Sequence, residues 1–161
     1  MSILITGVAG FIGSNLSEYF LNNREKVVGI DNLSRGKLSN LKKSFKSKDF
    51  NFVEVDISHY DLLRESLIKI NYNNPISEVW HMAANSDIPG GILDSQIDLK
   101  DTFLTTMSIL RLMKEFKIPT ISFASSSAIY GDLGDVKLTE DIGPLFPISN
   151  YGAMKLASEA A

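Results

Sequence analysis

A chain of 161 residues is long enough for one domain with a real core and too short for two comfortable ones. Its 44% apolar and 22% charged residues are ordinary globular composition, and a formal charge of -3 argues against a surface given over to nucleic acid or anionic membrane. The absence of cysteine excludes disulfides, thiolate metal sites and cysteine nucleophiles, and fits a reducing compartment, so the cytoplasm is the expected location. No apolar run approaches the ~20 residues of a membrane span. Met1–Ile5 lacks the basic flank of a signal peptide and runs straight into glycines, as a first strand would.

Short apolar runs alternate with longer amphipathic stretches. In chain order the pattern predicts a strand at Ile3–Thr6, a helix at Phe11–Asn22, a strand at Lys26–Ile30 and a strand at Phe52–Val55. A helix at Tyr60–Ile70, a strand at Glu78–Met82, a long helix at Gln96–Phe116, a strand at Thr120–Ala124 and a last helix from Asn150 follow. The strands are β-branched and almost continuously apolar, as expected of strands covered on both faces. Strands separated by helices imply right-handed βαβ crossovers and a doubly wound α/β fold with a parallel sheet and helices on both faces. The basic run from Arg35 and Lys37 through Lys42, Lys43, Lys46 and Lys48 reads as a solvated face rather than a nucleic-acid patch. The final segment, Tyr151–Ala161, is a good helix former with no capping signal and no strand after it, the pattern expected of a fragment of a longer chain.

Gly7, Gly10 and Gly13 lie between the first strand and the first helix, with Phe11 and Ile12 in the turn. A tight turn needs the first glycine, close approach of backbone to a pyrophosphate the second, and close packing of helix on strand the third. The helix start adds free N–H groups and a positive dipole end. Asp31 ends the second strand, where a carboxylate can accept both ribose hydroxyls of NAD and repel the 2′-phosphate of NADP; Arg35 nearby could accommodate that phosphate, but the acid favours NAD. Asp56 and Ile57 fall where a side chain reaches an adenine ring, although Asp56 equally suits a helix cap. His81, Met82, Ala83, Ala84 and Asn85 end the fourth strand, and the small residues leave room for a ligand crossing the sheet edge. With no second ligand at metal spacing, His81 reads as a packed or hydrogen-bonded side chain, and no metal is expected.

Tyr151 and Lys155 share a helix face, and Ser125, Ser126 and Ser127 follow the fifth strand. A phenol titrating near ~10 needs a shift of ~3 units to act as a base near neutrality, about what one cation at ~4 Å supplies at an effective dielectric of ~20. Lys155 together with a positive nicotinamide could supply it, with a serine hydroxyl bonded to the same substrate oxygen.

Thr6–Gly13, Asp31-Asn32-Leu33-Ser34, Ala83-Ala84, Ser125–Gly131 and Tyr151-x-x-x-Lys155, in this order along essentially the whole chain, resemble the extended short-chain dehydrogenase/reductase family. The nearest branch is the nucleotide-sugar epimerases and dehydratases, the UDP-glucose 4-epimerases above all. The resemblance implies a Rossmann-type NAD domain over residues 1–161, about half the length of family members, truncated before a C-terminal nucleotide-sugar domain. It implies Ser126, Tyr151 and Lys155 as the catalytic set, Ser126 lying five residues before Gly131. Asn32 and Ser34 join Gly7, Gly10, Phe11, Ile12, Gly13, Asp31, Asp56, Ile57, Met82, Ala83, Ala84, Tyr151 and Lys155 as cofactor contacts.

The implied reaction is oxidation of a UDP-hexose at C4 to a 4-keto sugar and return of the hydride to its other face. Ser127 and Ala128 stand where the dehydratases carry an Asp-Glu pair, which disfavours loss of water. Thr102 departs from an asparagine common in the family's long helix. Other readings are a related reductase, dehydratase or C3/C5 epimerase, and a non-catalytic dinucleotide sensor, which has no need of the catalytic set. A homodimer is implied through the last helix and the long helix, whose Leu99, Phe103, Met107, Leu110 and Met113 recur near helical spacing.

Overall fold

The computed structural model describes residues 1–161, which divide into two compact units, one of Met1–Ala83 with Ser108–Ala124 and one of Ala84–Met107 with Ser125–Ala161. The first unit holds a five-stranded parallel sheet of β1 (Ser2–Thr6), β2 (Lys26–Asp31), β3 (Phe50–Glu54), β4 (Ile76–His81) and β5 (Thr120–Phe123), ordered β3-β2-β1-β4-β5. Strand order reverses at β1: the chain winds outward to β3, then returns to the other side for β4 and β5. In such sheets the carboxyl ends of the two strands at the reversal flank a ligand crevice.

Alternation along β1 sorts the core into two layers. Ile3 and Ile5 pack with Val8, Val27 and Leu41, and with Leu16, Phe20 and Leu21 of α1 (Phe11–Asn22). Leu4 faces the other way, among Val28, Ile30, Leu63 and Leu67 of α2 (Tyr60–Asn73), and Ile109, Leu112 and Met113 of α5 (Thr105–Phe116). Helices therefore cover both sheet faces, as the apolar runs predict. Burial is nearly complete along β1 and β2, whereas the edge strands β3 and β5 are only partly covered, because each has a neighbour on one side alone.

Strand ends shift from the sequence expectation for reasons of register. β3 begins at Phe50, which pairs with Val27, rather than at Phe52. β4 ends at His81, opposite Thr6, because β1 turns away at Gly7 and leaves Met82 outside the ladder; β5 likewise stops at Phe123, opposite His81.

The second unit contains α3 (Ile88–Leu93), α4 (Ser95–Asp98), a π-helical turn at Leu99–Leu104, the first residues of α5, a 3-10 turn at Ser127–Tyr130 and α6 (Asn150–Ala160). The expected single helix of Gln96–Phe116 thus carries a widened turn, and i→i+5 bonding shifts the face that follows it. The stripe of Leu99, Phe103, Met107, Leu110 and Met113 is broken accordingly: Met113 is buried, while Met107 is 40% exposed. What the early half of the stretch buries instead is polar, namely Asp98, Thr102, Thr105 and Thr106. Ser149 caps the start of α6, its Oγ accepting from Gly152 N at 3.0 Å. No helix is long and apolar enough to cross a membrane.

Gly13 lies where α1 crosses the end of β1, and a Cβ there would stand 2.3 Å from the Gly7 carbonyl oxygen and 2.8 Å from Val8 Cα. Backbone on both sides leaves nothing flexible to yield. Gly13→Ala is expected to cost about 1–3 kcal/mol as overpacking, read as a lower urea midpoint with an unchanged slope.

Candidate active site

Gly7 leaves β1 at φ +64, and a Cβ there would meet Ala83 N and Cα at 2.9 Å, so only a glycine lets the two main chains pass this closely. Thr6 ties the same two strand ends together, its Oγ1 accepting from Ala83 N at 3.1 Å and standing 2.7 Å from His81 Nδ1. His81 is buried and stacked on Phe123, the packed role its surroundings in the sequence imply. Met82, Ala83 and Ala84 are half-buried just beyond the strand end.

The turn presents an open helix start. Gly10 precedes α1 in extended backbone, no side chain caps the helix, and its first turn carries no acid, so the positive end is not consumed internally. Phe11 and Ile12 stand 84% and 58% exposed there. That combination suits a pyrophosphate: N–H groups, a dipole end and no side chain at Gly10.

Asp31 is buried at the end of β2 with both oxygens engaged, Oδ2 accepting from Ala9 N at 2.9 Å and Oδ1 from Leu33 N at 2.8 Å. Leu33 adopts φ +57 beside it. Asn32 and Ser34 bond each other, Asn32 Oδ1 accepting from Ser34 N at 3.1 Å and Ser34 Oγ at 2.7 Å. A grip on the turn that sequence reading missed comes from the next residues. Ala9 O accepts from Lys37 N at 3.1 Å and Asn40 Nδ2 at 2.8 Å, and Gly36 sits too close to Ala9 and Asp31 Oδ1 for any side chain. Asp56 Oδ1 accepts from Ser58 N at 3.0 Å and Ser58 Oγ at 2.7 Å, a turn-forming role, and Ile57 lies in the core beneath.

The second unit brings together Ser126, Tyr151 and Lys155. Ser126 Oγ accepts from Ala128 N at 3.2 Å and lies close enough to the phenol of Tyr151 to pull its pKa downward. Lys155 is 2% exposed, its Nζ 5.8 Å from the Tyr151 ring centroid. The sequence argument expects the cation to pull the phenol down. In the structure burial is the largest influence and pushes Tyr151 above its ordinary value, against a pull downward from Ser126 and with a smaller push upward from Asp98. Desolvation instead acts on the lysine, bringing it from 10.5 to about 8, partly offset by Glu159.

Asp98 is a further residue that the sequence reading overlooked. Its spacing with Thr102, Thr105 and Thr106 was the available signal, a polar stripe on a helix otherwise read for its apolar one. Thr102, standing at the family's asparagine position, accepts from Asn85 N at 3.2 Å through its hydroxyl, and its carbonyl accepts from the hydroxyls of Thr105 and Thr106, each at 2.9 Å.

Burying Lys155 has a consequence for stability. Between pH 8 and 10.5 the unfolded chain holds a proton there that the folded chain has lost, so stability gains with rising pH across that window. Lys155→Met is expected to raise the melting temperature most below pH 8, where the burial penalty of roughly 3 kcal/mol is fully felt. The gap should narrow as pH rises towards 10.5. Melts of both proteins at neutral and alkaline pH check it; a gap independent of pH would contradict it.

The family model described as GDP-mannose 4,6 dehydratase matches residues 4–161. The chain is 32% identical over 161 residues to UDP-glucuronate 4-epimerase of Thermodesulfobacterium geofontis, covering 97% of this chain and 48% of that one. Its fold is similar to the solved UDP-glucose 4-epimerase of Thermus thermophilus in complex with NAD, with TM-score 0.85 and 30% identity over 99% of this chain and 49% of that one. It is similar also to the Thermotoga maritima UDP-glucose 4-epimerase with UDP-glucose, with TM-score 0.87 and 29% identity over 99% and 49%. The chain spans about half the length of the curated relatives it matches. Ordered motifs, reversed strand order and a match over nearly every residue agree, and the chain belongs to the GDP-mannose 4,6 dehydratase family.

Proposed function

We propose that the chain is the cofactor-holding, proton-transferring part of an NAD-dependent nucleotide-sugar epimerase acting at C4 of a UDP-hexose in the cytoplasm. The observation that carries this reading is the gathering of Ser126, Tyr151 and the buried Lys155 in one compact unit, the Lys155 Nζ 5.8 Å from the Tyr151 ring centroid. The open start of α1 above Gly7, Gly10 and Gly13 would take the pyrophosphate, with Phe11 and Ile12 beside it, and Asp31 the adenosine ribose with Asn32 and Ser34 at its rim. Asp56, Ile57, Met82, Ala83 and Ala84 complete the proposed contacts, Ile57 through its main chain because its side chain is in the core.

NAD supplies the hydride acceptor and donor for transient oxidation of the sugar. The chain's own residues handle the proton. Ser126, whose lone pair already takes the Ala128 N–H, orients its hydroxyl on the phenol; Tyr151 removes the proton of the sugar hydroxyl and later returns it; Lys155 contributes positive charge that favours the phenolate. Ser127 and Ala128 offer no acid for elimination, which supports epimerisation over the dehydration that the family description names. A homodimer through α5 and α6 is part of the reading, supported by Leu104 and Met107, 41% and 40% exposed on the helical stretch concerned.

Calorimetric titration of residues 1–161 should show NAD bound more tightly than NADP, and Asp31→Ala should weaken NAD by about tenfold or more, a loss on the scale of one charge-assisted hydrogen bond. Unchanged affinity would remove Asp31 from the ribose site. Residues 1–161 alone should turn over a UDP-hexose negligibly, whereas fusion to the remaining half of the Thermus thermophilus epimerase should yield a transient 4-keto sugar without net NADH. Net NADH or loss of water would replace epimerisation by another reaction of the family. Sedimentation tests the dimer, a monomer at all concentrations being the contrary result.

A further inference from the structure

Asp98 closes α4 where the π-helical turn begins, fully buried, within the same compact unit as Ser126, Tyr151 and Lys155. One carboxylate oxygen has a partner: Oδ1 accepts from Asn85 Nδ2 at 2.8 Å. The other, Oδ2, is buried with no hydrogen-bond partner at all. A buried carboxylate oxygen left without a donor is costly, and the groups around it show why a structure would retain one.

Oδ2 faces the main chain of α3. A Cβ on Gly91 would stand 1.9 Å from it, so the carboxylate rests where only a glycine leaves room. The Gly91 carbonyl in turn accepts from Asn150 Nδ2 at 2.9 Å, and Asn150 precedes Tyr151 on α6. On the other side Asn85 Oδ1 accepts from Asp87 N at 2.8 Å, and Asp87 Oδ1 caps α3 by accepting from Gly90 N at 3.0 Å. Asp98 is thus joined to the whole Asn85–Gly91 segment and, through Gly91 and Asn150, to the first turn of α6. π-helical turns of this kind recur at functional positions.

We propose that Asp98 is a positioning residue of the Ser126/Tyr151/Lys155 group, fixing through Gly91 and Asn150 the segment that seats Tyr151 and placing a carboxylate in the same buried unit as the phenol. The charge opposes formation of a second negative charge on Tyr151, so the tyrosine rests as a phenol, donor-competent, until positive charge arrives. The other ionisable groups on the elements packed against α6 are Asp87 and Asp94 flanking α3, Lys100 and Asp101 in the π-helical turn, and Tyr130 beyond Ser127. Lys155 and Glu159 lie on α6 itself. Lys100 and Asp101 stand 3.9 Å apart at the surface and largely offset each other, Asp94 is exposed, and Asp98 alone is a carboxylate wholly out of water. Its influence on the phenol is correspondingly unscreened, and it is the charged side chain that raises Tyr151.

The proposal rests on reading Ser126, Tyr151 and Lys155 as one group, and its test needs neither sugar nor NAD, so it stands or falls apart from the epimerase reading. Phenolate absorbance is followed against pH in residues 1–161, and Tyr151 is isolated by subtracting the Tyr151→Phe protein in each background. Asp98→Asn, isosteric and uncharged, is expected to lower the Tyr151 midpoint by ~1 pH unit, the order of shift that loss of one charge within the same buried unit gives at an effective dielectric of ~20. Asp98→Glu, which keeps the charge, should leave the midpoint near that of the parent, an outcome that a merely structural role would not separate from the amide. Asp98→Ser removes the charge with less bulk beside Gly91 and serves in its place if circular dichroism shows the amide variant unfolded. A midpoint unmoved or raised in a folded neutral variant would overturn the proposal.

Discussion

Everything in the first unit depends on two main chains passing at contact distance where the strand order reverses. Gly7, turning off β1 with positive φ, lies against Met82 and Ala83 as they leave β4, and no side chain fits between. Thr6 and His81, facing each other as the last paired residues of the two strands, are bonded side chain to side chain directly below. The close approach determines where β4 ends, and it frees the turn to lie over the sheet edge with its helix N–H groups open. The apolar layers on either face hold the sheet in place; the glycine decides what the sheet can present at its edge.

Buried polar groups do comparable work in the second unit. Its helices are short, and the middle of the long helical stretch buries threonines and an aspartate rather than leucines. Asn85 is bonded to Asp87, Asp98 and Thr102, Asp87 accepts from Gly90 N and Asn150 donates to the Gly91 carbonyl, so the segment following β4 is fixed by directional bonds. Such bonds define geometry more sharply than apolar contact does, which suits the proposed alignment of the Tyr151 phenol, the Ser126 hydroxyl and the Lys155 amine. The same dryness that sharpens these bonds raises the phenol and depresses the lysine, so the two groups sit further apart in proton affinity than free side chains would, the lysine giving up its proton first.

The sheet was legible in the sequence because its signal is physical and local: apolar β-branched runs at βαβ spacing, and three glycines in one turn. The start and end of α1 were readable to the residue. What escaped was non-local. The sequence does not reveal that register cuts β4 short at His81, that Asn40 and Lys37 return to the Ala9 carbonyl, or that a π-helical turn rotates Leu99–Leu104 out of the expected stripe. Asp98 escaped for a related reason, since an aspartate on a helix ordinarily faces water, and only the tertiary fold puts this one against Gly91. The desolvation that raises Tyr151 was likewise outside the reach of the sequence, since it depends on what the fold packs around the phenol.

The double engagement of Asp31 bears on how such an acid tolerates change. Each of its oxygens receives a main-chain N–H, from Ala9 and from Leu33, before any ligand is considered. An asparagine at this position would turn its own NH2 towards one of those donors, leaving two buried N–H groups facing each other, so the most conservative exchange is a poor one. The fold itself therefore demands a carboxylate at the end of β2, and a descendant that had given up its ligand would be held to the same residue. An acid in this position marks the architecture of the turn as much as the proposed ribose site, and divergence in cofactor preference would be expected first at freer neighbours such as Asn32 and Ser34, whose side-chain bonds are to each other.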